Sequence, residues 1–141
     1  MAELLAIIRV RGSAETEKPV EDTLRMLNLT RVNHCVVKSR TPALEGMLAK
    51  ASGNITWGAI KEDMLERLVA RKGRLPGDKK LDAKQAAEET KKLKDGKETS
   101  IKKVFRLHPP SGGYRAIKRP FPEGDLGPRG DKINELLRKM M

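Results

Sequence analysis

Three runs rich in branched apolar residues alternate with two helical stripes inside the first sixty residues. That rhythm constrains the fold more than any other feature. The first run, "LLAIIRVR" (Leu4 to Arg11), reads as a strand whose far end alternates Arg9 and Arg11 with Val10. Gly12 and Ser13 end it. A helix follows, with Thr16 as its expected cap and Pro19 tolerated in the first turn, where no backbone N–H is missed. Val20, Leu24 and Leu27 fall at i, i+4 and i+7, one buried stripe. "VNHCVVK" (Val32 to Lys38) reads as a second strand. In "RTPALEGMLAKASG", Thr41 is the N-cap, Pro42 takes N1, and Leu44, Met47, Leu48 and Ala51 form the apolar face. Gly53 is expected to supply a left-handed stop. Gly46 inside this helix costs about 1 kcal/mol against Ala, which points to close approach by another backbone or by RNA. "NITWGAI" is a third strand, interrupted by Gly58. Strand–helix–strand–helix–strand gives a small sheet with helices packed on a face.

The pattern changes after residue 60. "IKEDMLERLVARKG" reads as a helix with Met64, Leu65, Leu68 and Val69 apolar, stopping at Gly73. "LPGDKK" reads as a turn. "DAKQAAEETKKLKDG" has Asp82 as cap, Gln85 three residues on and Gly96 as stop. Its apolar face is Ala83, Ala86, Ala87 and Leu93, so it is expected to be largely exposed, with Glu88 and Lys92 as an i, i+4 pair. "IKKVFRLH" is a fourth strand, "YRAIKRPF" a candidate hairpin partner, and "GDLGPRG" a loop. "DKINELLRKMM" closes the chain as a helix capped by Asp131, with Ile133, Leu136, Leu137 and Met140 on one face.

Charge bears on function. The 141 residues carry a net charge of +11, which means attraction to polyanions. The balance is +2 over residues 1–60, +3 over 61–98 and +6 over 99–141. Between Glu98 and Glu123 the chain holds Lys102, Lys103, Arg106, Arg115, Lys118 and Arg119 and no carboxylate. No run approaches the roughly 20 apolar residues that span a membrane. "MAELLAIIRV" has no basic start and no cleavage site, so it reads as a strand rather than a signal peptide. One Cys permits no intrachain disulfide, and a reducing, intracellular setting fits.

The inventory for catalysis is thin. His34, His108 and Cys35 are the only His and Cys residues, and neighbours on a strand point to opposite faces, so His34 and Cys35 form no catalytic pair. There is no metal-ligand spacing of His and Cys, no GxGxxG after the first strand and no GxxxxGK[ST]. Cys35 reads as a small buried hydrophobe and Trp57 as core or edge packing. No cofactor, metal or small-molecule substrate is expected.

The segment "LHPPSGGYRAIKRP" (Leu107 to Pro120) needs its own reading. Pro109 and Pro110 stiffen the exit from the strand, and Gly112 and Gly113 permit positive φ, bringing backbone N–H groups within reach of a phosphate. A nucleotide cradle opens a helix. Here the chain continues basic and extended, with Arg106, Arg115, Lys118 and Arg119 around the turn. Tyr114 either stacks on a base or sugar or packs, and His108 either meets a phosphate or caps the strand. Aromatic residues are only 3% of the chain, which favours phosphate and shape contacts to structured RNA over stacking.

Residues 3–60, through "TLRMLNLTRVNHCVV" and "TPALEGMLAKA", resemble the large-subunit ribosomal protein family numbered thirty. "FRLHPPSGGYRAIKRPFPEGDLGPRGDKINELLRKM" resembles the extension of archaeal members. The resemblance implies an α+β fold: a small ferredoxin-like core of three antiparallel strands with two helices on one face. It divides the chain into a core over 1–60 and an extension over 61–141, with helices near 60–72, 82–95 and 131–140 and a basic hairpin near 101–119. It implies a structural, non-enzymatic constituent of the large ribosomal subunit, cytoplasmic and ribosome-bound. The partners would be large-subunit rRNA, the 5S rRNA region and neighbouring ribosomal proteins, with no membrane. The loop after the first strand and the start of the second helix would meet RNA, here Arg9, Arg11, Lys18, Arg40 and Thr41. The tail motif falls on Arg106, His108, Gly112, Gly113, Lys118 and Arg119, beside Tyr114 and Arg115. The rival readings are a free nucleic-acid-binding regulator or chromatin protein, and a ligand-binding module or enzyme on a ferredoxin-like core.

Overall fold

The computed structural model describes residues 4–12, 17–75, 79–80, 82–95, 104–114, 123–124 and 126–141. Strand β1 (Leu4–Arg9) lies at the centre of a five-stranded sheet. It pairs antiparallel with β2 (His34–Ser39) on one side and with β3 (Ile55–Ala59) on the other. The expected three-stranded antiparallel core is therefore present, in the order β2-β1-β3. Leu5, Ala6, Ile7 and Ile8 are all buried, because both faces of the central strand are covered. That explains a continuous apolar run in place of alternation.

Helices α1 (Lys18–Met26) and α2 (Pro42–Lys50) cover one face. Leu24, Leu27, Leu44 and Leu48 meet Leu5, Ile7, Val36 and Ile55 there. The α2 start follows the sequence reading: the Thr41 hydroxyl accepts the Leu44 amide at 3.1 Å, and Pro42 occupies the first turn. Three details differ. α1 takes Glu17 as its N-cap, and Thr16 lies outside the described residues. α2 ends at Ala51 without a left-handed glycine, because Gly53 keeps an ordinary φ. No backbone approaches Gly46, where an added Cβ would meet nothing within 4 Å.

The other face belongs to the second half of the chain. Helices α3 (Glu62–Lys72), α4 (Ala83–Lys94) and α5 (Ile133–Met140) pack there. Ala6, Ile8 and Cys35 of the sheet share one core with Leu65 and Leu68 of α3, Ala86 of α4 and Ile133 and Leu137 of α5. The expected stripes on α3 and α5 are the buried ones. Fully burying each such side chain is worth about 1.5–3 kcal/mol. α4 is rotated from expectation. Ala86, Glu89 and Thr90 are its buried residues, whereas Ala83 and Ala87 are exposed. Alanine offers little apolar area, so neighbours decided which side faced inward. The ion pair accordingly joins Lys92 to Glu89 at 3.5 Å, not to Glu88. The Asp82–Gln85 capping box is present, with the Asp82 amide donating to Gln85 Oε1 at 3.1 Å; Gly96 lies outside the described residues.

The extension also supplies both outer strands. The turn after α3 is a two-stranded ribbon of β4 (Arg74–Leu75) and β5 (Lys79–Lys80), entered through an extended Gly73. β6 (Val104–Arg106) pairs antiparallel with β2. The presumed loop "GDLGPRG" contains β7 (Gly127–Pro128), which pairs parallel with β3. Arg129 Nε donates to Thr56 Oγ1 at 2.8 Å, and that hydroxyl donates to Gly127 O at 2.9 Å. Asp131 lies in a 3-10 turn (Gly130–Lys132) and does not cap α5. Gly58 does not interrupt β3. It lets that turn close on the sheet, since a Cβ there would overlap the carbonyl oxygen of Gly130 and crowd Ile133. Buried Asn134 ties the junction together, donating to Ala59 O and Asp131 O and accepting the Lys61 amide at 3.0 Å. No described helix is long and apolar enough to cross a membrane.

Candidate nucleic-acid interface

Arg9 and Arg11 look alike in the sequence, yet the fold separates them. Arg9 is fully buried. Its Nε donates to Arg11 O and its Nη1 to Leu29 O, both at 2.8 Å, and its Nη2 pairs with Glu21 Oε1 at 2.6 Å. Buried charge persists only when its donors are satisfied, and these partners do that. Arg9 therefore anchors α1 to the sheet, and its guanidinium is buried where an exposed cation was expected. Arg11 is half-buried, with Nη1 donating to Gly53 O at 3.4 Å. Lys18 is exposed, one turn before the Glu21 that holds Arg9, so it belongs to the same end of the sheet.

At that end β2 begins and β6 finishes. His34 sits directly across from Arg106 in the ladder. Alternation places His34, Val36 and Lys38 of β2 on the α1–α2 face, with Val104 and Arg106 beside them. Burial, then Arg106, Arg31 and Arg9, push the His34 imidazole below its usual value. Its Nδ1 is buried without a hydrogen-bond partner among the described residues. The ring is therefore neutral at pH 7 within a cationic surround. Cys35, on the opposite face, is a buried free thiol pushed up to about 12 by burial, so it is chemically quiet.

The glycine segment after β6 is pinned to the body. The Leu107 amide donates to Asn33 O at 3.2 Å. His108 and Ser111 amides donate to Met140 O and Lys139 O, both at 3.1 Å, and so cap the last turn of α5. The Gly113 amide donates to Pro110 O at 2.9 Å, and Gly112 and Gly113 take φ of 82° and 77°. Positive φ is what these glycines provide, and the Gly113 amide is spent on the turn. Tyr114 packs against the core and donates to Asn33 Oδ1 at 2.5 Å. Of its two readings, packing is the one the geometry realises. The His108 side chain and both glycines are exposed. Arg115, Lys118 and Arg119, with the candidate hairpin partner, lie outside the described residues.

Arg40 and Thr41 do not join this group. They follow the far end of β2, roughly 20 Å away at the usual strand rise, where Arg40 pairs with Glu45 at 3.2 Å and Thr41 caps α2. Arg31 and Lys38 were not singled out from sequence. The alternation of "HCVVK" was the signal for Lys38, but Arg31 became recognisable only once the turn brought it beside His34. Among the described residues, no cluster of three or more His, Cys, Asp and Glu could hold a metal.

Residues 5–53 match the family described as "Ribosomal protein L30p/L7e". The chain is 43% identical to a "Large ribosomal subunit protein uL30" of Methanosphaera stadtmanae, over 98% of this chain and 100% of that protein. It is 43% identical to one of Methanococcus maripaludis, over 96% of this chain and 98% of that one. With one of Nanoarchaeum equitans it shares 42%, over 95% and 96%. The chain belongs to the L30p/L7e family. Membership makes it a ribosomal, non-enzymatic protein. The uL30 relatives align beyond the core, so α3 to α5 and the strands β6 and β7 belong to what they share with this chain.

Proposed function

We propose that this chain is a structural constituent of the large ribosomal subunit that binds large-subunit rRNA at the open edge formed by β2 and β6. The observation that carries this reading is the gathering around His34 of Arg106, on the outer strand β6, and Arg31, in the turn before β2, in a chain of net charge +11. Cations displayed on a folded scaffold neutralise phosphates and release counterions on binding. Arg11, Lys18 and His108 extend the same end. Arg115, Lys118 and Arg119 come soon after Tyr114 in the sequence and would add charge to this interface. Arg40 and Thr41 would form a separate contact at the far end of β2. A position near the 5S rRNA, beside neighbouring ribosomal proteins in the cytoplasm, completes the proposal.

The test is binding to deproteinised archaeal large-subunit rRNA across a salt series. Arg31→Ala with Arg106→Ala is expected to lower the slope of log affinity against log salt by about 1.4–1.8, at 0.7–0.9 per phosphate contact. An unchanged slope would remove the β2–β6 edge from the interface. Co-sedimentation with large subunits through moderate salt checks the ribosomal assignment, and nuclease protection of the 5S rRNA checks the position.

A further inference from the structure

The β4–β5 ribbon carries a second concentration of positive charge. Residues 71–80 hold Arg71, Lys72, Arg74, Lys79 and Lys80 against a single acid, Asp78, which lies outside the described residues. The register places Arg74 directly across from Lys80. Like charges opposed in a ladder are unfavourable, and a ribbon two residues long has little pairing to offset them. The arrangement persists because Leu75 packs against the core and holds the ribbon to the body. No carboxylate among the described residues forms an ion pair with any of the five. Burial, then Arg74 and Arg71, push the Lys72 ammonium below its usual value, as expected where positive charge is crowded without neutralisation.

Stabilisation of the α3 terminus accounts for only part of this. Arg74 Nη1 donates to Arg71 O at 3.1 Å and Gly73 O at 2.9 Å, so its charge serves the carbonyl end of α3. Lys79 and Lys80 stand on the opposite strand, exposed, and do nothing for that helix.

We propose that the β4–β5 ribbon is a second RNA contact, with Lys79 and Lys80 seated on a phosphate backbone. α3, from which it grows, packs on the sheet face opposite to the one that carries Arg106, so the chain joins two RNA segments. The inference rests on the rRNA-binding reading but uses none of the residues of the β2–β6 edge. A sugar–phosphate backbone is the partner that suits it: the ribbon presents point charges, and residues 71–80 include no aromatic side chain to stack on a base.

The experiment is a salt series on deproteinised large-subunit rRNA with K79A/K80A, with R106A and with all three substitutions. K79A/K80A is expected to lower the log–log slope by about 1.4–1.8, R106A by about 0.7–0.9, and the triple variant by the sum. Circular dichroism should be unchanged, because both lysines are exposed. Cross-linking from K80C and R106C, with native Cys35 buried and silent, should map to two separate rRNA segments. A K79A/K80A slope equal to the parent's overturns the ribbon contact. If R106A still lowers the slope, the edge reading survives alone. Cross-links falling on one shared segment overturn the bridging role. Loss of K79E/K80E from assembled subunits with unchanged rRNA affinity would assign the ribbon to an acidic protein and also overturn the proposal.

Discussion

The phenol oxygen of Tyr114 lies 2.5 Å from Asn33 Oδ1, and Asn33 holds the left-handed backbone conformation at φ 68°. The same asparagine donates its amide to Arg9 O at 2.8 Å and accepts the Leu107 amide on its carbonyl. One residue thus joins the end of β1, the end of β6 and the tail loop. The glycine turn lies inside this lock, which is why its first task is to close the loop.

Tyr114→Phe removes one hydrogen bond and keeps the ring. Stability should fall by about 1 kcal/mol, read as a lower urea midpoint at unchanged slope. Affinity for rRNA should stay within twofold of the parent. A large loss of affinity at unchanged stability would instead make the phenol an RNA contact.

Arg9→Ala should destabilise by roughly 3–5 kcal/mol, as expected when one partner of a buried charged network is removed. Three donors vanish, and Leu29 O, Arg11 O and Glu21 lose their bonds to them. Denaturant unfolding measures this. The salt dependence of rRNA binding by the folded variant should match the parent's, because the guanidinium is not at the surface.

The central sheet and its first two helices were legible because their signals are local and redundant. Thr41 and Pro42 mark one helix start, Leu44 and Leu48 its face, and "LLAII" a strand; that both faces of this strand are covered was not legible. The stripe Ile133, Leu136, Leu137 and Met140 was equally plain. β7 was not legible, since two residues, one of them Pro128, carry no period. It exists because Thr56 and Arg129 fasten it to β3. The burial of Arg9 was hidden for a similar reason. Nothing local distinguishes it from Arg11, and only the return of Glu21 and Leu29 to the strand end buries it. The cations of the proposed interface could be named from sequence but not grouped: β6 brings Arg106 to His34, while β2 carries Arg40 away from both.

Two glycines should respond to alanine with opposite signs. Gly58→Ala drives a methyl group into the Gly130 carbonyl and Ile133, where both neighbours are packed, and should cost about 1–3 kcal/mol or more. Gly46→Ala meets nothing within 4 Å in mid-helix and should stabilise by about 1 kcal/mol. Thermal unfolding of the free protein gives both values. If rRNA lies close against α2, Gly46→Ala will also weaken binding while raising stability, a combination that packing within the protein cannot produce.

His34 gives stability a pH dependence of known sign. Its folded value is held below 6.5 by burial and by Arg106, Arg31 and Arg9, while the unfolded chain titrates near 6.5. In the window between those two values the unfolded state binds more protons, so unfolding becomes easier as the solution is acidified. The contribution is fully present above about pH 7 and is lost as pH falls through 6.5 toward the folded value. His34→Gln, which cannot take up the proton, should flatten this part of the profile. Urea midpoints between pH 5 and 8 for parent and variant measure the difference. Cys35, pushed up to about 12, does not contribute in that range. Phosphates bound beside Arg31 and Arg106 would weaken the field that disfavours the imidazolium. Bound rRNA should therefore shift the His34 titration upward, observable as a change in the imidazole proton resonances with pH.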